Sequence, residues 1–393
     1  MRIILLLALA ILIPACMKAP VAEYWPTRGW RNSTPEAEGM DGAVLEAFQR
    51  EFEEGKHGFI DAMLVVRNGH VVFERSYRHD YDRLFEGKGA PGIYNYYDPD
   101  WHPYYKRGDL HTLQSVSKSV TSALVGIAIA RGEIPSVEVP VAPYFSEFKI
   151  PDKDPRRQKM TLRHLLTMTA GFRWDESSIS YTDPANSCAL MEASEDWIQF
   201  VLDQPMAEEP GAVWVYNSGV TELLSFLLKK TTGKEADDYA AEHLFGPLGI
   251  QGYFWKRTPK GLADTEGGLY LAPRDLAKVG YLYLKDGLWE GRRVLPEGWA
   301  KASLEPSADP RSSAAPELRY GYQWWLLPLK DRASRYAFAA LGYGGQRLIV
   351  VPELDLIAVF TGWNIYQTPA LSPALALERV LQAVRDRGLP PKT

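Results

Sequence analysis

Ser115 and Lys118 stand three positions apart at the head of a long apolar run. Three positions are about one helical turn, so a hydroxyl and an amine project from the same side. An amine that can take a proton from a serine hydroxyl makes that oxygen a nucleophile. Lys118 is expected to be neutral here, because desolvation and the positive end of a helix dipole both disfavour its charge. On the tetrapeptide alone, a capping serine followed by a solvated lysine fits as well. The pattern recurs as Ser146-Glu147-Phe148-Lys149, between Pro143 and Pro151 with no helical run behind it, which reads as surface loop. Two further stretches carry chemistry. Tyr216 stands at a helix entrance in Val215-Tyr216-Asn217-Ser218, where a phenol near a lysine can relay protons; a packed tyrosine is the simpler reading of that residue alone. Ala340-Leu341-Gly342-Tyr343-Gly344-Gly345-Gln346 precedes a β-rich run, and Gly342 and Gly344 would let a substrate lie against backbone N–H donors. Trp174-Asp175, after the turn at Gly171, is a candidate cleft lining or an exposed loop pair.

The elements that must position these residues are legible in outline. Val120 to Ala130 is apolar on nearly every face and reads as a buried helix stopped by Arg131-Gly132. Val44, Leu45, Phe48 and Phe52 mark an amphipathic helix ended by Gly55. Ala62–Val66 and Val71–Phe73 flank Asn68-Gly69, a strong hairpin signal. Helices are expected over Leu162–Met168, Asp196–Leu202, Glu222–Lys230 and Arg274–Lys285, then strands over Tyr320–Leu327, Arg347–Val351 and Leu356–Thr361. A last helix is expected over Ala374–Val384. Strands at both ends with helices between imply one α+β domain: an antiparallel sheet flanked by N- and C-terminal helices, with an all-helical insertion at about 115–265. The unpatterned stretch from Asp80 to Asp109 leads straight into Ser115, and loops of that length are often functional.

The chain start reads differently from the rest. Ile3–Ile13 is apolar but too short for a stable membrane span, and Ile13-Pro14-Ala15-Cys16 resembles the lipobox of bacterial lipoproteins. Residues 1–16 are therefore expected to be a signal peptide, 17–38 a tether and 39–393 the domain. In that family Cys16 becomes the lipid-bearing N-terminus, which implies an exported protein anchored in the bacterial periplasm. A plain secretory peptide is the alternative. Cys188 is then the only other cysteine and reads as inert packing. A net charge of −5 over 393 residues leaves no basic footprint for nucleic acid. The seven histidines form no metal-ligand spacing, so neither metal nor cofactor is expected. His164, inside an apolar helix, reads as structural.

The order Ser-x-x-Lys, tyrosine motif, Gly-rich strand entry resembles the serine β-lactamase/penicillin-binding-protein superfamily. Within it the likeness is to class C-like esterases and 6-aminohexanoate-dimer hydrolases, through Leu162-Arg163-His164-Leu165-Leu166, Gly267-Gly268-Leu269, Arg274-Asp275-Leu276-Ala277 and Gln323-Trp324-Trp325 as well. The resemblance implies Ser115 as the acylated nucleophile, Lys118 as its base and Tyr216 as the phenol that moves protons. It implies an oxyanion hole from the backbone N–H groups of Ser115 and Tyr343. The substrate would be a small ester or amide. A weak β-lactamase or DD-peptidase, or a non-catalytic binding lipoprotein of the same fold, are the other readings. Ala340-Leu341-Gly342 stands where β-lactamases and peptidases carry a basic residue, which argues against carboxylate-bearing substrates. Tyr216-Asn217-Ser218 also departs from the Tyr-x-Asn of class C enzymes, which puts the role of the asparagine in doubt.

Overall fold

The computed structural model describes residues 24–88, 106–150, 154–181, 183–307, 318–329, 336–365 and 370–385. Cys16, the signal segment and the first part of the proposed tether lie outside the described residues.

In chain order the elements that matter are β1 (Arg31–Asn32), α1 (Gly42–Glu53), β2 (Ile60–Arg67), β3 (His70–Ser76), α2 (Ser117–Ala130), α3 (Ser218–Thr232), α4 (Pro273–Leu284), β4 (Arg319–Tyr320), β5 (Trp325–Pro328), β6 (Tyr336–Gly342), β7 (Gln346–Val351), β8 (Leu356–Gly362) and α5 (Pro373–Gln382). The eight strands form one sheet in the order β1-β3-β2-β8-β7-β6-β5-β4. Its pairings are antiparallel except for the short β1–β3 edge. The β2–β3 hairpin turns at Asn68 and Gly69, with φ of 50° and 75°, the left-handed pair that such a two-residue turn demands.

Alternation of side chains divides the core in two. Leu64, Val66, Leu348, Val350, Ile357 and Val359 face the interior shared with α2, α3 and α4. Met63, Val65, Ile349, Val351, Ala358 and Phe360 face the other way, under α1 and α5. Both faces are thus covered, so β7 and β8 are buried along their whole length. Helix α2 runs through the larger core, and Val120, Ala123, Leu124, Val125 and Ala128 are wholly enclosed. That enclosure accounts for its near-uniform apolarity.

Three readings need correction. Residues 24–38 are part of the fold rather than a tether: Trp30 is buried and its indole N–H donates to the Arg274 carbonyl at 2.8 Å. Nearby, β1 covers the edge of β3, which a Pro- and Trp-rich stretch without periodicity does not advertise. The expected strand Tyr320–Leu327 is two strands, broken where Gln323 adopts φ of 62°. An unexpected antiparallel sheet also joins Lys106–Arg107 and Leu110–Thr112, before Ser115, to Leu269–Leu271 and Tyr253–Trp255 at the far end of the expected helical insertion. Its strands of two or three residues are too short to show alternation. Among the described residues no helix is long and apolar enough to cross a membrane.

Candidate active site

The small sheet brings the site together. Leu110–Thr112 pairs with Leu269–Leu271, and the Leu113 N–H donates to the Leu269 carbonyl at 2.9 Å. The chain after Leu113 therefore starts its helix directly beside the Glu266-Gly267-Gly268 turn. Ser115 sits on a single 3₁₀ turn, Gln114–Val116, that precedes α2. Gln114 holds a left-handed backbone, φ 48°, unusual for a residue with a side chain and the kind of local strain that marks functional turns. The Ser117 hydroxyl pins the corner, donating to the Gln114 carbonyl at 2.7 Å and accepting from the Leu269 N–H at 3.1 Å. Gly342, at the end of β6, meets this turn so closely that an added Cβ would lie 2.3 Å from the Leu113 carbonyl oxygen. Glycine is required there to bring the strand end alongside the serine.

Lys118 is 1% exposed, and its Nζ donates to Ser115 Oγ at 2.9 Å, to the Glu266 carbonyl at 2.7 Å and to Glu266 Oε2 at 2.9 Å. The three ammonium donors thus have three acceptors. Burial alone would lower the Lys118 pKa, but the nearby carboxylates, Glu266 first and Glu176 after it, outweigh it and raise it well above the ordinary value. The expectation of a neutral amine fails: Lys118 is an ammonium, held so by a carboxylate that lies far away in sequence. Burial likewise works to raise Glu266, yet Lys118, a hydrogen bond from Glu192 and Lys256 lower it to about 2. Glu192, buried beside it, is raised well above its ordinary value by desolvation first and by Glu266 as well. Burial thus favours the proton on Glu192 over Glu266.

Tyr216 precedes α3. Its phenol lies near Ser115, which works to lower the phenol pKa, and its ring centre lies 5.3 Å from Lys118 Nζ. Burial raises the phenol despite the pull of Lys118, so it is protonated at neutral pH. Trp325 stacks on that ring at 5.8 Å between centroids, with Trp214 packed against both. The doubtful asparagine has a structural role as the cap of α3, where its side chain accepts from the Val220 N–H at 3.1 Å. Capping by Asn217 also explains why α3 starts at Ser218, earlier than its apolar pattern suggests.

Tyr343 is held from both ends. Its hydroxyl donates to the Ile365 carbonyl at 3.0 Å, and its own carbonyl accepts from Gln346 Nε2 at 3.2 Å. Tyr181 lies against it at 5.1 Å between ring centres. Gly344, at φ 83°, and Gly345, at φ 116°, complete the turn.

Trp174 and Asp175 do not line the site as expected. Trp174 is buried, its indole donating to Glu176 Oε2 at 2.5 Å, and Asp175 turns into its own loop to receive the Ser178 N–H at 3.1 Å. Glu176, not singled out by the sequence, is the hub here, accepting also from Tyr181 and from the Ser218 N–H and hydroxyl. Glu266 likewise escapes the sequence pattern, although it directly precedes the Gly267-Gly268 pair. His164 is structural: its Nδ1 accepts from the Thr161 N–H at 3.1 Å and caps a short helix. Cys188 is buried, and desolvation followed by the nearby carboxylates raises its thiol well above the ordinary value, so it is inert as a nucleophile. Its sulfur and the Glu192 and Glu266 carboxylates come within 4.8 Å of one another, but the charge of Glu266 is already matched by Lys118.

A family model described as Beta-lactamase matches residues 46–363. The chain belongs to the β-lactamase family. It is 27% identical to 6-aminohexanoate-dimer hydrolase of Paenarthrobacter ureafaciens over 278 residues, which cover 65% of this chain and 68% of that one. In structure it is similar to a family VIII carboxylesterase, with a TM-score of 0.66, 15% identity and coverage of 91% of this chain and 99% of the other. It is also similar to the octameric penicillin-binding protein homologue from Pyrococcus abyssi, with a TM-score of 0.62, 18% identity and coverage of 89% and 79%. The chain is therefore a hydrolase-family protein of β-lactamase fold, an α+β architecture with an antiparallel sheet and a helical region, as the order of its motifs implied.

Proposed function

We propose that this β-lactamase-family protein is an exported serine hydrolase that cleaves a small ester or amide through an acyl-enzyme on Ser115. The observation that carries the reading is the contact of Lys118 Nζ with Ser115 Oγ at 2.9 Å, with the Tyr216 ring centre 5.3 Å from the same Nζ. A binding protein has no need of a hydroxyl set beside a lysine and a phenol together. Ser115 Oγ attacks the substrate carbonyl, and the backbone N–H groups of Ser115 and Tyr343 receive the oxyanion. The leaving alcohol or amine departs with a proton relayed past Tyr216, and water then hydrolyses the ester on Ser115.

The same geometry favours neutral substrates. Ala340 is 1% exposed and has no cation to offer. Arg347, across the turn on β7, does not replace it. Its side chain shares a face with Ile349 and Leu341, under α1 and α5, and donates to the Leu371 carbonyl. A substrate carboxylate would meet no charge partner from either residue. The expected result is a higher kcat/KM for p-nitrophenyl butyrate than for a chromogenic cephalosporin. A preference for the cephalosporin would instead support the β-lactamase reading. Because Ala340 is enclosed, this comparison is made on the wild type rather than on a lysine variant there.

The membrane part of the proposal rests on Ile13-Pro14-Ala15-Cys16. Cys16 carries lipid and holds the mature protein on the membrane, two or more acyl chains being needed for stable anchoring. Intact mass of membrane-purified protein checks it, and an unmodified Cys16 contradicts it.

A further inference from the structure

Glu266 is a buried carboxylate that the acyl-enzyme scheme leaves unused. It is 5% exposed, and its Oε2 lies as far from Lys118 Nζ as Ser115 Oγ does, 2.9 Å each. Nζ is thus the middle atom of a chain running Oγ, Nζ, Oε2. The other carboxylate oxygen, Oε1, faces Cys188 Sγ at 3.9 Å. Tyr216 and Glu176 lie near Lys118, and Glu192, Asp264 and Lys256 lie near Glu266. Glu222 receives the Glu266 N–H at 2.9 Å. Lys256 is 3.2 Å from Asp264 and 3.8 Å from Glu192, so it has its own partners.

An ammonium cannot accept a proton. Nor can a phenol take one from serine, and Tyr216 is protonated. The proton acceptor within reach of Ser115 through hydrogen bonds is Glu266, by way of Lys118. We infer that Ser115, Lys118 and Glu266 form a proton relay, in which Lys118 begins and ends as an ammonium and Glu266 receives the proton released on acylation. Nζ first yields the proton it shares with Oε2 to Glu266, and the amine lone pair so formed turns to take the Oγ proton as Oγ bonds to the carbonyl carbon, so that Lys118 is an ammonium before and after. The carbonyl π pair moves onto oxygen as the oxyanion. One negative charge thereby moves from Glu266 to the oxyanion across a cation that faces both. When the intermediate collapses and the bond to the leaving group breaks, Nζ passes a proton by way of the Tyr216 hydroxyl to that group and takes back the proton held on Oε2. Glu192, beside Glu266 and 3.8 Å from Lys256, has no contact with Ser115 or Lys118 and is not a member of the relay.

The relay rests on the acyl-enzyme reading, and the test separates the two. Pre-steady-state acylation by p-nitrophenyl butyrate is followed between about pH 5 and pH 9 for wild type, Glu266→Gln and Glu192→Gln. The relay predicts a flat wild-type profile, because Lys118 stays charged and Glu266 stays ionised throughout. Glu266→Gln should lose about 10²-fold at the acid end, the lower bound for acid–base groups, and regain rate with rising pH as a lysine without its counter-ion deprotonates. Glu192→Gln keeps an N–H donor toward Glu266 and should retain the flat profile within about threefold. A wild-type rate that climbs with pH across this range would mean that Lys118 acts as a free amine, and would overturn the relay. A flat Glu266→Gln profile at the wild-type rate would overturn it too. Should Glu266→Gln not fold, the wild-type profile still decides. Failure of Ser115 to become acylated at all removes the acyl-enzyme reading instead, and is seen as the absence of a burst in the wild type.

Discussion

Ser115→Ala is expected to reduce turnover of p-nitrophenyl butyrate by about 10⁴-fold or more, to the residual level that binding and an oxyanion hole sustain without a nucleophile. The fold should be untouched. Ser115 is a small, half-buried residue on a 3₁₀ turn whose corner is pinned by Ser117, Gln114 and Leu269 rather than by its own hydroxyl. Removing Oγ leaves Lys118 with the two acceptors of Glu266, so the buried ammonium stays compensated. Circular dichroism and melting temperature should match the wild type. The contrasting control is Ser146→Ala, which alters the second Ser-x-x-Lys copy: Ser146 is exposed at the end of a short 3₁₀ turn and should have no effect on rate.

Lys118→Ala should cost both activity and stability, and the combination is diagnostic. Loss of the group that addresses Ser115 Oγ is expected to slow acylation by about 10²–10⁴-fold. Removing one partner of a buried ion pair leaves the other charge uncompensated, at a cost of roughly 3–5 kcal/mol. Here the stranded group is Glu266, next to Glu192, Asp264 and Glu222. Pairing the change with Glu266→Gln should therefore recover much of the lost melting temperature while recovering none of the rate. Thermal unfolding and ester turnover on the single and double variants check this. A Lys118→Ala protein that melts like the wild type would show that the ion pair is not the structural element described.

Much of the fold was legible because it is written in local pattern. Asn68-Gly69 between two apolar runs marks the β2–β3 hairpin, and the unbroken apolarity of α2 marks a helix enclosed on every side. The site was legible as far as short motifs carry it: Ser115 and Lys118 meet at one oxygen, and the Tyr216 ring lies beside the Lys118 ammonium. What escaped is what depends on partners remote in sequence. Burial and the helix end both argue for a neutral Lys118, and neither reveals that Leu269–Leu271 delivers Glu266 to its side. Glu176 and Glu192 were invisible for the same reason, since a glutamate in a sequence reads as a solvated charge until its surroundings are known. Trp174 shows the converse error, an aromatic beside a turn that fills the core under α3 rather than a cleft. The two-residue strand β1 holds residues 24–38 to the sheet without any alternation to announce it.

The most direct test of the central claim is the position of the covalent adduct. Wild-type protein is incubated with a fluorophosphonate, its intact mass is measured, and the modified peptide is sequenced by mass spectrometry. The account predicts one adduct per chain, on the peptide that contains Gln114-Ser115-Val116, and none on Ser115→Ala. An adduct that persists on Ser115→Ala, or that maps to any other residue in the wild type, would contradict it.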